Sequence, residues 1–481
     1  MGRSLSQSAN PRTSSPVPRA ASSSRRLQRA LSVDIVSMPR PGVGHNTADP
    51  DKGIELPMRL LHTSDWHLGQ SLHDFDRTYE HQQFLDWLLA LIATEQPDVL
   101  LIAGDVFDNA NPSAGAQHQL YRFLTAARER MPHLSIVIIA GNHDSPGRLE
   151  ATSPFLELFD AAVVGHVHRR PDQSIDVERL VVPLKNREGT VAAWCLAIPF
   201  LRPGDVPRVA GKGEHDAYLA GVAELYRQAL AVAHSRRQAG QAIVAMGHCH
   251  MAHGKLSELS ERRIVVGGAE ALPAGIFDAG IAYVALGHLH LAQAVGGRDH
   301  IRYSGSPLPM SFAELDYPHQ VMCVELDGEA VAEIRPVRVP RSVELIRVPK
   351  THASIDEVLP LLEALDPGLA ADGPAHAHPY LEVCVRLDAP EPGLRARIEA
   401  ALAGKPVRLA RIDPLNSRSG DAPASSAMSL GDLERLAPET VFARLCEQRI
   451  GGDPGEREAL LGALAAAFAE LAIEPAEGAS A

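Results

Sequence analysis

The sequence predicts an α/β protein with a layered sheet, and three observations lead to that prediction. Short apolar runs alternate with segments that carry apolar residues at helical spacing, such as residues 79–93. The run Val99–Ala103 is apolar throughout, which is typical of a strand buried on both faces. Polar motifs begin where these runs end, and open α/β folds bind their ligands at that position.

Size and composition set broad limits on the function. The chain has 481 residues, which is enough for two or three domains. No apolar run approaches the roughly 18 residues of a membrane span, so we expect no contact with a membrane. The five cysteines are scattered, odd in number and without a CxxC motif, which argues against disulfides and favours a reducing, cytoplasmic compartment.

The charge of the chain does not decide the partner. A net charge of −13 gives no support to a nucleic-acid partner. It does not exclude one either, because a basic groove and bound divalent metals add local positive charge that a residue count misses.

The N-terminal segment, residues 1–57, differs from the rest of the chain. It is rich in Ser, Pro and Arg and lacks apolar periodicity, so we predict a disordered extension. An organelle transit peptide is an alternative interpretation of the same composition. A third is that translation starts at Met58, where ordered sequence begins.

From residue 58 to about 338 the pattern is strand, motif, helix, repeated. The predicted strands cover residues 59–64, 99–103, 134–140, 194–198, 241–246 and 281–286. The predicted helices cover residues 79–93, 117–130 and 217–233. A hairpin turns around Asp327-Gly328, between residues 321–326 and 331–336.

The remainder divides by pattern into three parts. Residues 339–415 alternate strands and helices and predict a small α+β domain. A linker rich in Ser, Pro, Gly and Asp covers residues 416–427, and an apolar helical tail covers residues 428–481. This tail either packs on its own chain or docks on a partner helix.

Polar residues of one chemical kind follow five of the predicted strands. They are Asp65, His67, Asp105, Asn142, His143, His248, His288 and His290. These oxygen and nitrogen ligands suit Mn, Fe, Zn or Mg, and two such metals about 3.5–4 Å apart can clamp the oxygens of a phosphoryl displacement. Asp105 is the best-placed residue to bridge them, because a carboxylate that ends a buried strand needs a partner.

Spacing leaves some of the ligand choices open. Asp65 and His67, like His288 and His290, are two residues apart, so each pair can project to one side of an extended segment. Each pair could serve one metal or both. His250 is an alternative to His248, which we favour because it directly follows a glycine.

The five motifs resemble the signature blocks of the calcineurin-like metallophosphoesterases. In this sequence the blocks are Asp65-x-His67, Gly104-Asp-x-x-Asp108, Gly141-Asn-His-Asp144, Gly247-His248 and Gly287-His-x-His290. Longer matches resemble the DNA-repair nucleases of that family, from Met58 to the end of the chain. They are residues 62–69, 104–108, 197–203, 285–290 and 303–307.

The resemblance implies a layered β-sandwich flanked by helices and a binuclear centre. Two Mn²⁺ ions are implied, with Mg²⁺ or another divalent ion as the alternative. The implied ligands are Asp65, His67, Asp105 and His290 for one ion, and Asp105, Asn142, His248 and His288 for the other. His143 would act as general acid or stabilise the transition state, and Asp144 would orient His143. Asp108 is expected outside the ligand set, in a supporting position.

The resemblance also implies a substrate and partners. It implies a double-strand DNA exonuclease and single-strand or hairpin endonuclease that acts in repair, recombination and replication. Residues 339–415 would cap the DNA, the tail would dock on a coiled-coil ATPase subunit, and two nuclease subunits would form a homodimer within a heterotetramer.

Two other functions compete with this interpretation. The first is a phosphatase or cyclic phosphodiesterase with the same metal centre, although such an enzyme has less need of the residues after Ser306. The second is a binding protein that has lost catalysis, which the complete ligand set and His143 argue against.

Overall fold

The computed structural model describes most of residues 57–416. Within that range it leaves out residues 158–159, 210–213, 253, 256–270, 367, 369–372 and 390, and beyond it only residue 464 is described. The predicted N-terminal extension, linker and C-terminal tail therefore lie outside the described residues, except for residues 57, 416 and 464.

The described strands are numbered in chain order. They are β1 (Met58–Thr63), β2 (Ser71–Leu72), β3 (Phe75–Asp76), β4 (Val99–Ala103), β5 (Ser135–Ile139), β6 (Ala161–Val164), β7 (Val181–Lys185), β8 (Val191–Ala197), β9 (Ala242–His248), β10 (Tyr283–Gly287), β11 (Gln293–Val295), β12 (Arg298–Tyr303), β13 (Gln320–Asp327), β14 (Ala330–Arg338), β15 (Leu345–Ser354), β16 (Tyr380–Leu387) and β17 (Arg408–Asn416).

The described α-helices lie mostly between strands. They are α1 (Thr78–Glu95), α2 (Ala114–Arg130), α3 (Pro146–Glu150), α4 (Ser153–Leu156), α5 (Glu214–Arg236), α6 (Ile355–Glu363) and α7 (Leu394–Ala401). None of these described helices combines the length and apolarity needed to cross a membrane.

Two six-stranded sheets form the main body. The first has the strand order β14-β13-β1-β4-β5-β6 and the second has the order β11-β12-β10-β9-β8-β7. Strands β1, β4, β5 and β6 are parallel neighbours, and so are β8, β9, β10 and β12, whereas β13 and β14 add an antiparallel edge to the first sheet. This arrangement confirms the predicted layered α/β fold.

The central strand β4 shows why its sequence is apolar at every position. Leu101 packs with Val244 and Val284 of the second sheet in one core, so this side of β4 faces the sandwich interior. Its neighbour Ile102 packs with Phe84 and other residues of α1 and α2 in a second core on the opposite face. Side chains alternate across a strand, so burial of both faces requires a continuous apolar run.

A smaller domain follows the main body. Strands β15, β16 and β17 are parallel, with α6 and α7 as the crossovers, and their side chains form a separate core. The domain thus consists of two successive β-α-β units, a detail that the α+β expectation did not include. It contacts the main body through the Tyr380 hydroxyl, which donates to Glu80 Oε1 at 2.7 Å. The division of the chain at residues 339, 416 and 428 stays a prediction.

All the strands and helices predicted from the pattern between residues 58 and 415 are present among the described residues. Val99–Ala103 and Tyr380–Leu387 have the bounds that the sequence predicted. The pattern missed the short strands β2, β3, β6, β7, β11 and β12, because several are only two to four residues long and too short to show a period.

Candidate metal centre

The loops after five strands form the candidate site. Strands β1, β4 and β5 are neighbours in the first sheet, and β9 and β10 are neighbours in the second, so their carboxyl ends meet at one edge of the sandwich. Gly104 makes the close approach of the sheets possible. It has φ +87, and a Cβ atom there would lie 2.3 Å from His248 Nδ1.

Asp105 lies at the middle of the site, buried as the sequence predicted. Its Oδ2 atom is 3.2 Å from Nε2 of His248 and 3.7 Å from Nε2 of His67. Burial alone would raise the pKa of the Asp105 carboxyl, but the two histidines hold it well below its usual value. Asp105 is therefore ionised at neutral pH and available to a cation.

A second set of contacts joins the ligands on the His248 side. Asn142 Oδ1 lies 3.0 Å from Nε2 of His248 and 3.0 Å from Nδ1 of His288. Nδ1 of His248 lies 2.9 Å from the carbonyl oxygen of Ala103. A carbonyl only accepts, so Nδ1 of His248 carries the proton and Nε2 offers its lone pair to the site.

The ligand atoms fall into two adjoining groups. In one, Asp65, His67 and His290 have their ligand atoms within 4.8 Å of one another, and in the other the same is true of Asp105, His248 and His288. The backbone N–H of His288 donates to Asp65 Oδ1 at 2.9 Å and links the groups. The structure thus brings together all seven predicted ligands.

The residues present fit a divalent metal. Nε2 of His67 is buried and has no hydrogen-bond partner among the residues that the structure describes. A buried polar atom without a partner is costly, and it is explained when a cation accepts its lone pair. Every candidate donor is an oxygen or an imidazole nitrogen, which suits a hard or borderline divalent ion.

The backbone at the site is in an unusual conformation. Asp65, His67, Asp105 and His288 have φ values of 55, 46, 48 and 105. Such values cost non-glycine residues on the order of 1–3 kcal/mol each, and they persist only where the surrounding structure imposes them. The fold therefore holds these four side chains in positions that an unconstrained loop would not adopt.

His143 differs from the ligands because it is exposed. Its backbone N–H donates to Asp105 Oδ1 at 2.9 Å, and its Nδ1 lies 2.7 Å from the carbonyl oxygen of Asp108. A carbonyl accepts, so Nδ1 carries the proton and Nε2 is the nitrogen left for proton transfer.

The contacts of Asp144 differ from the expected direct orientation of His143. Its carboxylate accepts hydrogen bonds from the backbone N–H groups of Gly141, Val106 and Phe107, at 2.8, 3.1 and 2.9 Å. Burial and the nearby Asp105 charge raise the pKa of Asp144 to about 6. Asp144 joins the two loops that carry Asp105 and His143, and the ring of His143 is held by Asp108 instead.

The structure also settles the positions of two other residues discussed from the sequence. Oδ1 of Asp108 lies 3.4 Å from Nδ1 of His67, which places Asp108 behind a ligand. His248, and not His250, contacts Asp105, whereas the ring centre of His250 is 6.3 Å from that of His288.

Sequence reasoning missed Glu314. This fully buried residue ends a short 3₁₀ helix, and its Oε1 lies 2.8 Å from Nδ1 of His290. Its Oε2 accepts from the backbone N–H of Met310 at 2.7 Å. A carboxylate behind a histidine fixes the ring and increases its basicity as a ligand. No motif or period surrounds Glu314, so no sequence signal marks it.

The sandwich and its strand-end ligands define the class of calcineurin-like phosphoesterases. The family model described as calcineurin-like phosphoesterase matches residues 58–292. A second family model, the type 5 capsule protein repressor C-terminal domain, matches residues 341–449.

Curated relatives narrow the class. The SbcD component of nuclease SbcCD from Rhodobacter capsulatus is 38% identical over 395 residues, which cover 80% of this chain and 94% of that protein. The SbcD protein from Escherichia coli is 34% identical over 288 residues, which cover 59% of this chain and 68% of the relative. The Bacillus subtilis protein is 36% identical over 277 residues, which cover 56% and 66%. The chain belongs to the SbcD family and is an enzyme of the metallophosphoesterase class that binds divalent metal.

Proposed function

We propose that the chain is a manganese-dependent DNA nuclease, both a double-strand exonuclease and a single-strand or hairpin endonuclease. It would act with an SbcC-type ATPase in DNA repair, recombination and replication, in the cytoplasm. The observation that carries the proposal is the convergence of His67 and His248 on Asp105, with the second group of ligands beside them.

Two metal ions would share the Asp105 carboxylate. Asp65, His67, Asp105 and His290 would hold one Mn²⁺, and Asp105, Asn142, His248 and His288 would hold the other. Such ions supply positive charge to a phosphodiester and a nucleophile from water at neutral pH. Glu314 and Asp108 keep the rings of His290 and His67 turned toward the site.

His143 would serve the leaving oxygen. The Asp108 carbonyl fixes one face of the ring, and exposure of the side chain leaves it open to a substrate. A histidine so placed can give a proton to the leaving oxygen of a cleaved phosphodiester, or stabilise the charge that develops there. Asp144 acts on His143 only through the loop backbone that it anchors.

Cleavage of defined substrates tests the proposal. The full chain should digest linear duplex DNA and open hairpin DNA when Mn²⁺ is supplied, with Mg²⁺ as a parallel arm and a phosphomonoester as the control. Efficient hydrolysis of the monoester or of a cyclic nucleotide, with no digestion of DNA, would favour the alternative, a phosphatase or cyclic phosphodiesterase. The metal centre is common to both, so only the substrate separates them.

The partner proposal needs a separate test. The tail, residues 428–481, would dock on the ATPase subunit, and the nuclease subunits would pair as a homodimer within a heterotetramer. Truncation after about residue 420 should abolish association with the ATPase in a pull-down while manganese-dependent digestion persists. Undiminished association of the truncated chain would show that the tail is not the docking element.

A further inference from the structure

A second cluster of metal-ligating side chains lies at the edge strand β6, away from the Asp105 centre. His166 and His168 follow this strand, and Glu150 is the last residue of α3. Nε2 of His168 is 3.0 Å from Glu150 Oε2, and Nδ1 of His166 is 3.1 Å from the same oxygen. We propose that Glu150, His166 and His168 form a zinc site that is independent of the Asp105 centre.

The distances are close to those that a metal requires. The three ligand atoms lie within 4.8 Å of one another. Zinc bonds of about 2.1 Å at tetrahedral angles place neighbouring ligand atoms about 3.4 Å apart. The observed separations of 3.0 and 3.1 Å therefore need only a small adjustment of the side chains on binding.

The carboxylate is held in place before any ion binds. Its other oxygen, Oε1, accepts hydrogen bonds from the backbone N–H groups of Gly165 and His166, at 2.7 and 3.2 Å. Oε2 is thereby directed at the two imidazole rings. Preorganised ligands bind a metal with less loss of side-chain freedom, so this arrangement favours a site over a chance surface contact.

One nitrogen of the cluster has no hydrogen bond. Nδ1 of His166 is buried, and within the described part of the chain it makes none, because its contact with Glu150 lacks the required alignment. Only one ring, that of His168, is hydrogen-bonded to Glu150. The lone pair of a neutral His166 is thus available to a cation.

The surroundings indicate which ion would bind. Two imidazoles and one carboxylate suit zinc, and they suit magnesium, calcium or manganese less well. The histidines are only partly buried, at 39% and 30% exposure, and they line a cavity of about 510 Å³. Water can therefore fill the fourth position. Since α3 begins at Pro146, close after His143, an ion here would fasten the segment that follows the His143 loop to the end of β6.

Zinc content tests the proposal on the full chain after metals are removed with a chelator. The Asp105→Ala variant provides the background, because the main centre is expected to be empty there. After equilibrium dialysis against Zn²⁺, this variant should hold one zinc ion, measured by mass spectrometry. Adding His166→Gln and His168→Gln should remove that ion, whereas adding His118→Gln, a histidine on α2 away from both centres, should not.

The same zinc content with and without the two histidines would overturn the proposal. If the triple variant does not fold, as judged by circular dichroism, His168→Gln in the wild-type chain gives a second measurement. It should weaken one of the zinc-binding events in a calorimetric titration by at least about tenfold. A titration indistinguishable from that of the wild type would equally refute the site.

Discussion

The two centres of histidines and carboxylates are built in opposite ways. The Asp105 centre gathers its ligands from five strand ends between residues 65 and 290, and they are buried except for Asn142, which is half-buried. The Glu150 cluster comes from residues 150–168 alone and is partly exposed. Four ligands of the first centre have left-handed backbone, whereas none of the three residues of the second does.

This difference shows what the sandwich contributes to catalysis. Burial of several charges and strain at four residues are each unfavourable, and only the packing of two complete sheets offsets them. In return, side chains distant in sequence are held in fixed relative positions, which phosphoryl chemistry requires. A local cluster needs little from the fold, and its loss should cost the fold little.

The largest expected effect comes from Asp105→Ala. Both groups of ligands depend on this carboxylate, so the variant should bind neither ion of the main centre. Phosphodiesterase activity should fall by about 10³-fold or more, because metal assistance contributes several kcal/mol to the transition state. Metal analysis and initial rates measure the two effects. A centre that keeps both ions would rule out the bridging role.

His143→Ala should separate chemistry from metal binding. The side chain is exposed and is not a proposed ligand, so both ions should remain. Cleavage should slow by about 10²- to 10⁴-fold, as expected when a proton donor is removed. His118→Gln is the matched control and should keep the wild-type rate. Loss of metal from the His143 variant would make His143 a ligand and overturn its assignment.

Glu314→Gln tests whether a buried carboxylate supports the centre from behind. The contact of 2.8 Å with His290 would lose its charge, and metal affinity should fall about 10- to 100-fold. Glu399→Gln, which removes only an exposed pair with Arg395, is the control and should be neutral. A calorimetric titration with Mn²⁺ compares the two. Equal affinities would mean that Glu314 has a purely structural role.

The smallest expected effect concerns stability and uses two glycines near the His143 loop. A Cβ atom at Gly141 would lie 2.1 Å from Asp105 Oδ1, whereas one at Gly147 would meet nothing within 4 Å. Gly141→Ala should therefore lower the free energy of unfolding by about 1–3 kcal/mol, as overpacking does. Gly147→Ala should be neutral or slightly stabilising. Denaturant titrations measure both, and equal stability of the two variants would contradict the close packing around Asp105.

Much of the fold and most of the candidate site could be predicted before any coordinates. Val99–Ala103 is readable as a buried strand because burial of both faces leaves a continuous apolar run. The ligand candidates are readable because each follows such a run, and because their order resembles a known family. The short strands β6 and β11 escaped detection, since strands of three or four residues at a sheet edge carry no clear pattern.

The sequence by itself determined which residues would meet, from Asp65 to His290, because strand ends of one sandwich must lie at a common edge. Only the tertiary structure decided how they meet. It placed Glu314 behind His290, gave the ring of His143 to the Asp108 carbonyl, and tied Asp144 to three backbone N–H groups. It also brought Glu150 against His166 and His168. The physical reason is that a hydrogen bond depends on distance and angle, which spacing along a chain does not specify.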